Sequence, residues 1–272
     1  LGDVYKRQHI DVWSPSPGDA WSPALVSPDN GQTRLLLDGA RATLSDPRWS
    51  SDSRFLMGQL LKENQTSLVK IDRETGSIQP LSPSGVNIFA KETYSSHDPS
   101  GRIVFLKSSP STPPDLWLIN GPQKSRPITG LNPQIEQISF GAVRDVHWRN
   151  PKDGQKVHGF VVLPVGYQPG RRYPMVTLLH GGPTSAWQRG WPDGFTDWGQ
   201  LLAANGIIAF FPNVRGSLGA GVEYANANTG DLGGIDYVDV ISGVDAMVAD
   251  GLADPDRLGV GGYSYGGYLS SW

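Results

Sequence analysis

The second half of the chain alternates between unbroken apolar runs and segments whose apolar residues recur every three or four positions. Pro174-Met175-Val176-Thr177-Leu178-Leu179 and Ile207-Ile208-Ala209-Phe210-Phe211 are continuous runs, as expected of strands buried on both faces. Between them, Thr196 to Ala204 reads as a helix stopped by Asn205-Gly206. Asp236 to Asp250 places Tyr237, Val240, Ile241, Val244, Met247 and Val248 at helical spacing and ends at Gly251. That stripe is core packing. A turn at Asp254-Pro255 leads into a short buried strand, Asp256 to Gly261. Upstream, Val143 to Trp148 and Val157 to Leu163 form an entry hairpin around the turn Asn150-Pro151-Lys152-Asp153-Gly154. Strands alternating with helices predict a doubly wound, mostly parallel sheet covered on both faces, its crossovers right-handed.

Before residue 140 the pattern changes to short alternating runs with recurring turn markers. Trp13-Ser14-Pro15 and Ser27-Pro28-Asp29-Asn30-Gly31 are followed by Trp49-Ser50-Ser51-Asp52-Ser53 and His97-Asp98-Pro99-Ser100-Gly101. Each later marker precedes a strand-like run, Arg54 to Gly58 and Arg102 to Leu106, and then a second one, Ser67 to Asp72 and Asp115 to Asn120. A period of roughly 45 to 50 residues with about four short strands suits the blades of a β-propeller. About two full blades and part of a third would lie here; an open antiparallel sheet or sandwich is the alternative. The expected organisation is a partial all-β propeller over residues 9–140 and an α/β domain over 141–272. Residues 1–8 lack an initiator Met and any signal-peptide pattern, and read as a non-native tail. Ser270-Ser271-Trp272 falls within the first turns of an expected helix, so the chain reads as a piece of a longer one, truncated at both ends.

Composition narrows the function. At 272 residues there is ample material for one large core or two medium ones. A net charge of −3 leaves no footprint for nucleic acid or an anionic membrane. No apolar run approaches the roughly 20 residues that a membrane helix needs. The absence of cysteine excludes a disulfide framework, a thiolate metal site and a Cys nucleophile. It favours the cytoplasm slightly over the periplasm.

The chemistry gathers at Gly262-Tyr263-Ser264-Tyr265-Gly266-Gly267. A strand, then Gly-x-Ser-x-Gly, then an apolar helix start is the pattern of a nucleophile elbow, which lifts a serine hydroxyl clear of the sheet. A Cβ at Gly262 or Gly266 would collide with neighbouring backbone. The amide of Tyr265 opens a helix and can meet a developing oxyanion. A dinucleotide-binding loop fits poorly, because the third glycine of that pattern falls at Ser264. Directly after the Pro174–Leu179 run stands His180-Gly181-Gly182-Pro183, a loop of the type that supplies the second oxyanion donor, here the amide of Gly182. Each motif alone is weak; in this order and at these strand ends they support each other.

Residues from about 143 onward resemble the catalytic domain of the prolyl oligopeptidase family of serine peptidases (family S9), in its acylaminoacyl-peptidase and dipeptidyl-peptidase-like branch. The stretches that carry the likeness are Arg171-Arg172-Tyr173-Pro174, His180 to Pro183, Asn213-Val214-Arg215-Gly216-Ser217, Asp254-Pro255-Asp256-Arg257 and Gly262 to Tyr268. The resemblance implies an α/β-hydrolase domain behind a β-propeller, Ser264 as catalytic nucleophile, hydrolysis of short peptides through an acyl-enzyme, and no cofactor. One feature departs from the pattern. The triad order in such folds is Ser, then Asp or Glu, then His, yet His9, His97, His147, His158 and His180 all precede Ser264. His180 is expected to brace its loop, and His147 and His158 to be ordinary hairpin residues. Asp231, Asp236 and Asp239 read as loop and helix-start residues. The chain by itself is therefore expected to be inactive. Arg215 stands at the active-site edge of the sheet, where it could bind a substrate carbonyl or carboxylate, or brace its loop. Two other functions remain open on sequence: an esterase or lipase of the same fold, and a non-catalytic propeller-containing binding protein.

Overall fold

Turn chemistry explains most of the first half. The computed structural model describes residues 10–13, 22–37, 39–83, 87–88, 95–97, 102–121, 124–192 and 194–272. The expected tail, His9 and the repeat markers Ser14-Pro15 and Asp98 to Gly101 lie outside them. Strands β1 (Ile10–Trp13), β2 (Ser22–Val26) and β3 (Thr33–Leu35) pair antiparallel. A four-stranded antiparallel meander follows: β4 (Thr43–Trp49), β5 (Phe55–Lys62), β6 (Gln65–Asp72) and β7 (Ile78–Pro80). Its first turn is built from the Trp49–Ser53 marker: Ser50 Oγ accepts the Phe55 N–H (2.9 Å) and donates to Asp52 (2.6 Å). The turn from β6 to β7 hangs on Asp72, whose carboxylate takes the N–H groups of Glu74 (3.0 Å) and Thr75 (3.1 Å). A further antiparallel sheet holds β8 (Asn87–Ile88), β9 (Ser95–His97), β10 (Ile103–Ser109), β11 (Thr112–Ile119) and β12 (Ser125–Pro127). Leu56, Ile71 and Phe105 are completely buried between and within these sheets.

The remaining strands form one sheet in the order β13 (Val143–Arg149), β14 (Lys156–Val162), β16 (Ile208–Asn213), β15 (Tyr173–Leu179), β17 (Ala253–Gly262). Four helices accompany it among the described residues: α1 (Gly199–Ala204), α2 (Val222–Asn226), α3 (Ile235–Ala249) and α4 (Tyr265–Ser271). The expected mostly parallel sheet is corrected to a mixed one. β16, β15 and β17 are parallel, but β13 and β14 are antiparallel to each other, and β14 is antiparallel to β16. The short turn at 150–154 can only return the chain antiparallel. Asp254-Pro255, expected as a turn, already belongs to β17. It sits at the sheet edge, where a proline leaves no ladder bond unmade, and a register shift between Tyr173 and Met175 accommodates it. The helix expected from Thr196 starts only at Gly199, because Asp197 first turns the chain by accepting the Gly199 N–H (3.1 Å).

Alternation along the strands explains why both faces are covered. Val161, Met175 and Phe210 point toward α3 and α4, in a cluster with Trp148, Val240, Met247 and Leu269. Their neighbours Phe160, Val162, Ala209 and Phe211 point the other way, toward Ala203 of α1. Phe210 meets Trp148 edge-on (5.4 Å) and Phe211 stacks on Phe160 (4.8 Å). Each of these buried phenylalanines contributes about 1.5–3 kcal/mol.

The β5–β6 hairpin joins the two halves. At its tip Glu63 adopts a positive φ of 55° and donates its N–H to the Gly219 carbonyl (2.7 Å). Asn64 donates to Asp145 (2.9 Å) and accepts the Arg189 N–H (2.8 Å). Thr66 donates to Gln188 (2.7 Å), and Thr43 accepts the Gly219 N–H (3.0 Å). His147, expected as an ordinary hairpin residue, pairs with Glu63 across this junction (3.0 Å). His158 is buried beneath the same tip, beside Tyr224. Burial pushes the His158 imidazole down to about 4; His147 and Arg41 add to this, and Glu63 opposes it.

From pH 6.5, the ordinary value, down to about 4, the unfolded chain takes up a proton that folded His158 refuses. The stability present above pH 6.5 is therefore lost as pH falls toward 4, by up to about 3 kcal/mol. Thermal melts of the full-length gene product should show this decline flattened in His158→Gln; parallel profiles for the two proteins would contradict it.

Candidate active site

The geometry at Ser264 begins with strand register. β15 and β17 are parallel neighbours with Leu179 opposite Gly262, so the loops that follow them leave the sheet side by side. One loop carries His180 to Pro183, the other Tyr263 and Ser264. Contact is immediate: a Cβ on Gly181 would stand 3.2 Å from the Ser264 Cβ and 3.8 Å from its Oγ. Ser264 is exposed and holds φ 55° and ψ −122°, outside the favoured regions for an L-residue. Such a conformation costs about 1–3 kcal/mol and persists only where its surroundings impose it. Here they do. A Cβ on Gly262 would lie 2.5 Å from the Gly266 carbonyl, and one on Gly266 would run into the Leu179 carbonyl. The turn is thus clamped between β15 and α4, and Tyr265 is the first residue of that helix.

The neighbouring loop is held as firmly. Gly182 has φ 126°, and the Gly182–Pro183 peptide is cis. His180 lies with Nδ1 against the Gly181 carbonyl (2.8 Å) and Nε2 against Ser217 Oγ (2.8 Å). A carbonyl only accepts, so Nδ1 carries the proton, and Nε2 accepts from the Ser217 hydroxyl. Burial pushes the His180 imidazole down, and the Gly181 carbonyl opposes this in part. Both ring nitrogens therefore serve the loop. Trp187 closes the loop with its indole N–H on the Leu178 carbonyl (2.8 Å) and its main chain on Asn213 (2.8 Å). Tyr263 is exposed and meets Phe195 edge-on (5.2 Å), giving an aromatic rim next to Ser264.

Arg215 lies beneath this surface. It is 7 % exposed and grips Asp239 through Nε (2.9 Å) and Nη2 (2.7 Å), while Nη1 reaches Asp153. Burial alone would lower its pKa, but the two carboxylates outweigh burial and hold it above the ordinary arginine value. The same contacts keep the Asp153 carboxyl below its usual range. All three guanidinium nitrogens are engaged, and their partners are carboxylates.

Reasoning from sequence passed over two acids. Asp236 and Asp239, read as loop and helix-start residues, are completely buried. Asp239 accepts from Asn150 (2.6 Å) and Arg215; Asp236 accepts from Asn228 (2.9 Å), Gly233 (3.1 Å), Tyr237 (2.8 Å) and the Tyr265 hydroxyl. Their spacing of three puts both on one face of α3, and that was the available signal. Among the described residues, no group of three or more His, Cys, Asp or Glu side chains is placed to hold a metal ion. No helix among them is long and apolar enough to cross a membrane.

The model of the prolyl oligopeptidase family, peptidase S9, matches residues 195–272. The chain belongs to that family, with relatives among the acylaminoacyl and dipeptidyl peptidases. An uncharacterized peptidase of Bacillus subtilis, YuxL, is 31% identical over 230 residues, covering 83% of this chain and 33% of that protein. Dipeptidyl-peptidase 5 of Porphyromonas gingivalis is 27% identical over 228 residues, covering 83% and 32%. Among solved structures, the acylaminoacyl peptidase of Pyrococcus horikoshii superposes with a TM-score of 0.76 at 21% identity, over 95% of this chain and 39% of that one. The fold is thus part of a prolyl oligopeptidase-like structure, and the chain spans about a third of the length of the curated relatives it matches.

The two glycines after Tyr265 should respond to substitution with opposite signs. Gly266→Ala drives a methyl into the Leu179 backbone and should cost about 3 kcal/mol. Gly267→Ala meets only the Gly262 carbonyl at 3.6 Å and should gain about 0.5–1 kcal/mol of helix preference. Denaturant midpoints of the two variants check this; equal effects would contradict the clamp.

Proposed function

We propose that this chain supplies the nucleophile and both oxyanion donors of a serine peptidase that hydrolyses short peptides. On this reading residues 141–272 are the N-terminal part of an α/β-hydrolase domain. Residues 9–140 are blades of a β-propeller that restricts access to small substrates. The antiparallel meander β4–β7, one blade's worth of strands, supports that division.

The observation that carries the proposal is Ser264 itself: exposed, strained, and pressed against Gly181 at the ends of two parallel strands. Its Oγ attacks the scissile carbonyl carbon, and the oxygen of the tetrahedral adduct falls between the amides of Gly182 and Tyr265. Each such donor is worth about 3 kcal/mol in the transition state. Collapse of the adduct breaks the C–N bond and releases the amine, and water then hydrolyses the acyl-serine. The histidine base and its acid partner belong, on this account, to the part of the relatives' length that this chain does not span. His147, His158 and His180 are committed elsewhere. We assign Arg215 to bracing the 213–217 loop, since all three of its guanidinium nitrogens already donate to carboxylates.

Labelling with a fluorophosphonate tests the nucleophile. The full-length gene product should take up one probe per chain, and Ser264→Ala should take up none; label persisting in that variant would overturn the assignment. Rates on matched amide and ester substrates then separate peptidase from esterase. A peptidase retains amide turnover that an esterase lacks.

A further inference from the structure

The two loops that flank Ser264 are held from behind by polar side chains, and these supports converge on one buried carboxylate. Asp236 has no exposed surface. One oxygen takes the N–H groups of Gly233 (3.1 Å) and Tyr237 (2.8 Å); the other takes the Asn228 amide (2.9 Å) and the Tyr265 hydroxyl. A carboxylate is the side chain suited to this place, because it only accepts. An asparagine would have to turn its NH2 toward two donors whichever way it faced. Opening α3 explains the main-chain contacts but not the phenol. That hydroxyl comes from the residue after Ser264, in a different element.

The second support joins here. Asn228 is buried, and its side chain fills the space above Gly216, where a Cβ would stand 2.5 Å from Nδ2. The next residue, Ser217, is completely buried and holds the His180 ring. The loop bearing Gly182 and the turn bearing Tyr265 are therefore propped on the same few residues. On the opposite side, Tyr265 packs on Tyr268 (5.5 Å), so the phenol is fixed at its tip and along its face.

We propose that Asp236 is a positioning residue. By holding the Tyr265 hydroxyl it sets the direction of the Tyr265 amide, and through Asn228 and the Gly216-Ser217 turn it fixes that amide relative to the amide of Gly182. The inference rests on the reading of Ser264 as nucleophile. Substrate and transition state differ mainly in the charge on the oxygen that these amides meet. Releasing Asp236 should therefore slow the chemical step and leave binding nearly unchanged.

Saturation kinetics of fluorophosphonate labelling on the full-length gene product measure both, whatever peptide the enzyme prefers. Tyr265→Phe, which removes a single hydroxyl, and Asp236→Asn should each lower the maximal labelling rate about tenfold. That is less than the 10²–10³ seen when an oxyanion donor is lost outright. The half-saturating probe concentration should stay within about twofold. End-point labelling gives the folded, competent fraction, so a purely structural role would lower the end point and leave the rate of the remaining fraction unchanged. Rates within twofold of wild type in Tyr265→Phe at full end point would overturn the inference while leaving the nucleophile intact. Absence of wild-type labelling, or label persisting in Ser264→Ala, would overturn the reading beneath it.

Discussion

The close parallel pairing of β15 with β17 is the constraint on which the rest depends. Leu179 faces Gly262 across the ladder, and the chain beyond each strand end has no room to diverge. The Leu179 carbonyl lies against both Gly262 and Gly266, so the turn between them must double back at once. Ser264 absorbs the strain of that reversal in a backbone conformation it would not choose. Any residue with a Cβ at either glycine would open the turn and withdraw the hydroxyl from the Gly181 loop.

Such a turn needs rigid surroundings, and the sequence supplies them with buried polar groups as much as with apolar ones. The apolar clusters on both faces of the mixed sheet fix where strands and helices lie. Loop positions are fixed differently. Arg215 clamps Asp239 and Asp153, Asp236 gathers four neutral donors, and His180 spans Gly181 and Ser217. A buried polar or charged group left unpaired is expensive, so each of these groups holds its partners to one geometry. The β5–β6 hairpin extends the same principle to the junction between the halves, where Asn64 and Glu63 reach into the loops of the mixed sheet.

Much of the site was legible from sequence because backbone geometry demands particular residues. Only glycine fits beside the Leu179 carbonyl, so Gly262-x-Ser264-x-Gly266 announces its own turn, and continuous apolar runs announced β15 and β16. The hairpin of β13 and β14 was legible from its turn at 150–154, but the antiparallel pairing of β14 with β16 was not, because apolar periodicity fixes a strand and leaves its orientation open. Asp236, Asp239 and His158 were missed for another reason. Polar residues are mostly exposed, and nothing in their local sequence reveals that a distant segment will bury and satisfy them. The turn marker at Trp49–Ser53 fell where a hairpin closes, because Ser and Asp side chains bond nearby main-chain N–H groups on their own.

The central claim is that Ser264 and two facing amides form one catalytic unit. The most direct measurement is a crystal structure of the full-length gene product after reaction with a fluorophosphonate. The account predicts phosphorus bonded to Ser264 Oγ, with the phosphoryl oxygen about 2.7–3.1 Å from the amide nitrogens of both Gly182 and Tyr265. Phosphorus on another side chain, or a phosphoryl oxygen turned to solvent away from both amides, would contradict it.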